Sequence, residues 1–210
     1  MPAKTSTTAN SPTVVFDVGN VLIRWDPALL YRDMIPDDEK RAWFMHNVCT
    51  AAWNVEQDRG RSWEEGVALL VASHPEWESQ IKAYDERWHE TVPGIIEDSV
   101  AVLAELKERG EAVFAITNFS REKWAECLIR FPFLRSFDGA IVSAHERVIK
   151  PDPAIFEILL ERYGLSAPDC IFVDDSGRNI EAARGVGMKT VHFVEPIDLR
   201  AELRKWGVVM

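Results

Sequence analysis

Apolar residues fall into short unbroken runs that alternate with longer stretches of helical spacing. Val14-Val15-Phe16 is such a run, and similar ones span residues 112–116, 139–142, 170–173 and 190–194. Runs this short, rich in Val, Ile and Phe, predict strands buried on both faces. Between them the period changes. In residues 95–109, Ile96, Val100, Leu103 and Leu106 share one helical face, and Gly110 follows as a C-cap. Residues 121–130 and 179–184 also predict helices. Asp152-Pro153 predicts the start of another, with Phe156, Leu159 and Leu160 inward and an end at Tyr163-Gly164. Strands alternating with helices predict an α/β fold with a doubly wound parallel sheet.

Residues 27–92 break this alternation. They contain no strand-like run, and the spacings Val67, Leu70, Val71 and Ile81, Tyr84, Trp88 are helical. Six of the eight tryptophans lie between Trp25 and Trp88. The stretch predicts a helical insertion with an aromatic core, placed after the first strand and closed by Pro93-Gly94. The expected division is a tail over 1–12, a core of 13–26 and 93–210, and the insertion over 27–92. The tail is rich in Thr, Ser, Ala and Pro, without the apolar segment of a secretory signal, and is expected to be disordered.

Composition narrows the function. A net charge of -10 over 210 residues argues against nucleic acid or an anionic membrane as partner. No apolar stretch has the length of a membrane span. Cys49, Cys127 and Cys170 are too scattered for a disulfide framework or a zinc site, so reduced thiols in a cytoplasm are expected. The sequence leaves the oligomeric state open.

The chemistry is concentrated at the ends of the apolar runs. Asp17 follows the first and opens into Val18-Gly19-Asn20; carboxyl ends of strands are where open α/β sheets place their ligands. Ile116-Thr117-Asn118, Val148-Ile149-Lys150 and Phe172-Val173-Asp174-Asp175 are expected to end likewise. Carboxylates, a hydroxyl, an amide and one lysine suit metal-assisted attack on a phosphate ester of a small molecule. Attack by a carboxylate on phosphate at about 4 Å meets a repulsion of about 4 kcal/mol per unit charge, so a cation and a lysine are needed.

These four segments, in this order, resemble the motifs of the haloacid dehalogenase (HAD) superfamily, and Phe16-Asp17-Val18-Gly19-Asn20-Val21-Leu22 resembles its glucose-1-phosphatase-like subgroup. The resemblance implies a Rossmann-like core with a helical cap. It implies that Asp17 is the nucleophile of an aspartyl-phosphate mechanism and that Mg²⁺ is held by Asp17, the Gly19 carbonyl and Asp175. Asp174 and Asn179 would support from behind. Thr117, Asn118 and Lys150 would hold the transferring phosphoryl group. The implied activity is a Mg²⁺-dependent phosphatase of small cytosolic metabolites, such as sugar phosphates.

One position departs from the pattern. Most phosphatases of the superfamily carry an acid two residues after the nucleophile; Gly19 stands there. His145 and residues from the cap are candidate substitutes. The dehalogenases proper lack that acid too, so a metal-independent 2-haloacid dehalogenase is the second expectation and a non-catalytic metabolite-binding member the third. Asp58-Arg59-Gly60-Arg61 reads as a solvated turn between cap helices.

Overall fold

The computed structural model describes residues 11–210. The tail expected over 1–12 lies outside them, apart from Ser11 and Pro12.

The chain opens with β1 (Thr13–Phe16) and then runs through α1 (Ala28–Met34), α2 (Asp38–Asn47), α3 (Ala51–Asp58), α4 (Trp63–Ser73) and α5 (Glu78–Glu86). It returns through α6 (Glu97–Glu108), β2 (Val113–Thr117), α7 (Arg121–Arg130), β3 (Gly139–Val142), α8 (Ser143–Glu146) and α9 (Pro153–Tyr163). It closes with β4 (Cys170–Asp174), α10 (Gly177–Gly185), β5 (Lys189–His192) and α11 (Leu199–Lys205). The expected strands and core helices are all present. Two short helices, α8 and α11, were not anticipated, and residues 148–150 belong to a loop rather than a strand end.

The five strands form one parallel sheet in the order β3-β2-β1-β4-β5. Alternation along each strand divides its side chains between two layers. Val14, Phe16, Val113, Ala115, Ile171 and Val173 join a core that includes Leu103 and Leu106 of α6 and Leu203 of α11. Val15, Phe114, Ile116 and Phe172 face the other way, against Phe156 and Leu159 of α9 and Ile180 of α10. Burial on both faces explains why the strands read as continuous apolar runs. From β1 the chain winds to one side through β2 and β3, then returns to lay β4 and β5 on the other. The crevice of this open sheet therefore lies at the carboxyl ends of β1 and β4.

From Ala28 to Thr91 the regular structure is entirely helical. Ser62 and Thr50 cap α4 and α3 by accepting the N–H groups of Glu65 and Trp53. Tyr31, Phe44, Trp53, Trp63 and Tyr84 pack ring against ring, with centroids 4.8–5.9 Å apart. The outgoing and returning segments run side by side: Arg24 N–H donates to the Gly94 carbonyl at 2.9 Å and Asp26 N–H to that of Thr91 at 2.8 Å.

Candidate active site

Asp17 leaves β1 at the crevice with its N–H on the Val173 carbonyl at 2.8 Å, so the neighbouring strand fixes its backbone. Its Oδ1 accepts the Val18 N–H at 2.7 Å and lies 2.8 Å from Lys150 Nζ. Both contacts fall on Oδ1, leaving Oδ2 without a protein partner among the described residues. The loop beyond it is tight: Ile23 N–H donates to the Val18 carbonyl at 3.0 Å and Asn20 N–H to that of Ile23 at 2.7 Å. Asn20 takes a φ of 53°, a conformation that asparagine tolerates well. The Gly19 carbonyl takes no part in this backbone bonding.

Lys150 reaches the same point from the loop after α8. Lys150 is 3% exposed, and its ammonium bridges Asp17 and Asp174, the latter at 2.7 Å. Burial pulls the ammonium pKa down, but Asp17 and Asp174 outweigh it and hold the group above its ordinary value. Asp174, wholly buried, also accepts the Ser176 N–H at 2.7 Å and the Asn179 amide at 3.0 Å on both oxygens. Its lone pairs are thereby committed to protein donors, and it fixes Lys150. Asp175 is partly exposed, and its backbone carbonyl accepts from His192 Nε2 at 3.0 Å. Burial raises its carboxyl pKa, and the Asp174 charge adds to the rise.

Carboxylate oxygens of Asp17, Asp174 and Asp175 lie within 4.8 Å of one another. Burial pushes the Asp17 carboxyl up to about 7 against the pull of Lys150, with Asp174 adding to the rise. Three carboxylates face one ammonium, and all the donors on the open side are oxygens. That set fits a hard divalent cation such as Mg²⁺.

Thr117 ends β2, buried, with a hydroxyl that makes no hydrogen bond among the described residues. Asn118 follows it and lines the recess described below. Its Nδ2 donates to the Lys150 carbonyl at 3.0 Å and its Oδ1 accepts the Lys150 N–H at 2.8 Å. One of the two amide hydrogens thus holds the lysine loop and the other is left for a ligand. His145 is exposed on α8 and is not among the residues that line that recess.

Beside Gly19 a recess of about 80 Å³ lies between the core and the inserted helices. Gly19, Asn118, Phe119 and Lys123 line it from below, and Asn54, Asp58, Trp63 and Trp88 from above. The tryptophans thus serve two purposes. Trp63 belongs to the aromatic core of the insertion and also donates its indole N–H to Ser120 Oγ of the core at 2.7 Å. Lys123, 4% exposed, pairs with Asp85 at 2.7 Å and Glu126 at 2.8 Å, joining α7 to the insertion. Asp58 was read as part of a solvated turn. It ends α3 and faces this recess, a placement that no local sequence signal announces.

The parallel sheet with an acid–lysine cluster at its crevice defines a Rossmann-like α/β fold with a candidate active site at the switch point, and comparison with known proteins assigns the family. The sequence profile of haloacid dehalogenase-like hydrolases matches residues 54–193. The chain belongs to that family. A sesquiterpene phosphatase of Aspergillus oryzae is 35% identical over 105 residues, half of this chain (50%) and 54% of that enzyme. A glyceraldehyde 3-phosphate phosphatase of Pyrococcus abyssi is 36% identical over 93 residues, 44% of this chain and 39% of that enzyme. The chain therefore spans about half the length of the first relative and less of the second. Among solved structures, a HAD family enzyme of Bacteroides thetaiotaomicron in complex with magnesium and inorganic phosphate superposes with a TM-score of 0.72 at 20% identity, covering 91% of this chain and 98% of that one. The L-2-haloacid dehalogenase of Xanthobacter autotrophicus gives 0.61 at 17% identity, covering 95% and 84%. These likenesses establish the fold. Among the described residues no helix is long and apolar enough to cross a membrane.

Proposed function

We propose that this chain is a Mg²⁺-dependent phosphatase of small phosphorylated metabolites, working through an aspartyl-phosphate intermediate, with residues 27–92 as its cap. The observation that carries the reading is the bridging of Asp17 and Asp174 by the buried Lys150 beside Asp175. Asp17, the Gly19 carbonyl and Asp175 would hold Mg²⁺, which would neutralise phosphoryl oxygens and favour the ionised nucleophile. Phosphatase activity in two relatives supports the reaction class.

The chain's own groups then divide the work. Lys150 orients Asp17 through Oδ1 and leaves Oδ2 to attack phosphorus. The same ammonium offers charge to the transferring group. Asp174, held by Ser176 and Asn179, keeps Lys150 in place. The Thr117 hydroxyl receives a phosphoryl oxygen. The inserted helices limit water at the crevice during the first displacement. The aromatic lining of the recess suits a leaving group with an apolar face, such as one side of a sugar ring or a hydrocarbon.

A dehalogenase would use the same aspartate on carbon. Gly19 and the apolar lining favour it, whereas the surplus of carboxylates favours a cation-dependent reaction. Phosphate release from 4-nitrophenyl phosphate, abolished by chelator and by Asp17→Asn, is the expected result. Chelator-insensitive chloride release from 2-chloropropionate, without phosphate release, overturns the reading. Tight binding of a metabolite with neither activity would make the chain a non-catalytic member.

A further inference from the structure

A phosphatase working through Asp17 must protonate its leaving oxygen, and Gly19 cannot do so. The in-line geometry of the displacement puts that oxygen on the side of the phosphate away from Asp17, which is the side the inserted helices cover. A donor is therefore to be sought above the recess.

We propose that Asp58, delivered from the end of α3, is the general acid and base that replaces the missing carboxylate at position 19. This rests on the phosphatase reading above. Asp58 lines the recess together with Gly19 and Asn118. Its position is set by the core as well as by its own helix. Ser143 Oγ donates to the Asp58 carbonyl at 2.6 Å. Gly60, two residues on, has a φ of 106°, and a Cβ there would come within 3.0 Å of the Ala144 carbonyl. Glycine thus lets the turn close directly onto α8. The carboxyl is held at the seam rather than waving in solvent.

The surroundings favour proton transfer. Burial pushes the Asp58 carboxyl up to about 7, with the Ser120 N–H opposing and the Asp17 charge reinforcing the rise, so both protonation states are accessible near neutral pH. The other charged or titratable groups nearby are Tyr84, buried behind it, and Lys123, already paired with Asp85 and Glu126. Asn54 Nδ2 lies 3.3 Å from Asp58 Oδ2, and its buried Oδ1 accepts no hydrogen bond among the described residues.

The chemistry balances. In the first step an Asp17 oxygen bonds to phosphorus, the phosphorus–oxygen bond to the alcohol breaks, and the Asp58 proton passes to the departing oxygen. In the second, water bonds to phosphorus and gives a proton to the Asp58 carboxylate. The Asp17–phosphorus bond breaks, releasing inorganic phosphate and restoring both aspartates.

The test compares 4-nitrophenyl phosphate, whose leaving group departs unprotonated, with a simple alkyl phosphate, whose leaving group cannot. Asp58→Asn is expected to lower kcat/KM for the alkyl ester by about 10²–10⁴-fold and that for the aryl ester by much less. A Cβ at Gly19 would meet no atom within 4 Å, so a side chain can start there without a clash. Gly19→Asp in the Asp58→Asn background is expected to narrow the gap between the esters. Equal losses on both esters, or no loss on either, overturn the assignment of Asp58. A wild-type protein that releases phosphate from neither ester overturns the phosphatase reading itself.

Discussion

Asn118 and Lys150 clasp each other through two hydrogen bonds, one in each direction, although 32 residues separate them. The side chain of one closes a ring with the backbone of the other. The consequence is that the turn after β2 sets the height at which the lysine ammonium meets Asp17.

Truncating that clasp should misplace Lys150 without removing it. Asn118→Ala is expected to lower kcat by about 10–100-fold, the usual effect of losing a group that orients a working residue. Asn118→Asp keeps the acceptor for the Lys150 N–H and should retain more activity than the alanine variant. Steady-state kinetics on 4-nitrophenyl phosphate would decide. Equal kcat in all three proteins would remove the clasp from the mechanism.

Lys150 is the counter-ion of two buried acids. Lys150→Met should destabilise the fold by about 3–5 kcal/mol, because it strands Asp17 and Asp174 at low exposure without a cation. Adding Asp174→Asn to that variant should recover part of the loss, since fewer like charges then face each other. Urea unfolding of the two single variants and the double variant measures the coupling. Strictly additive losses would contradict the pairing.

Cation binding should be visible without any turnover. Mg²⁺ that binds the folded chain and not the unfolded one raises Tm by mass action, by an amount worth about 2.7 kcal/mol at a hundredfold excess over Kd. Thermal unfolding with and without Mg²⁺ is expected to show this rise in the wild type and its loss in Asp175→Asn. An undiminished shift in the variant would move the cation elsewhere.

Asp58 makes stability depend on pH. Its carboxyl is raised from an ordinary 3.8 to about 7 in the folded chain, so between those values the folded state binds more protons than the unfolded one. Its contribution to stability therefore falls as pH rises through that window, at no more than about 1.4 kcal/mol per pH unit, and levels off above it. Asp58→Asn removes this slope. Relative to wild type, the variant should gain stability between about pH 4 and about pH 7 when urea midpoints are compared. A difference that does not change with pH would mean that the carboxyl ionises normally.

Much of the fold is legible in the linear pattern. The runs ending at Phe16, Thr117, Val142 and Asp174 are strands because every residue in their middle must be apolar when helices cover both faces. The helix from Pro153 to Tyr163 carries its own start and stop in Asp152 and Gly164. The missed helix α11 did carry a signal: Asp198 caps it, and Leu199 and Leu203 lie four apart. At four residues, α8 is too short to show a period. The same helix displaces Lys150 from the strand end at which it was expected.

Local order is thus what the chain determined by itself, together with the residue types at the crevice, because period, caps and turn residues act over a few neighbours. Tertiary structure decided the assignments within the site. What anchors the Asn118 amide depends on where residue 150 returns. Whether Asp58 is solvated or sealed against the core depends on Ser120, Ser143 and Ala144, at least 60 positions away in the chain. Hydrogen-bond partners and burial are set by such distant returns, and so are the ionisation and availability of every group that could do chemistry here.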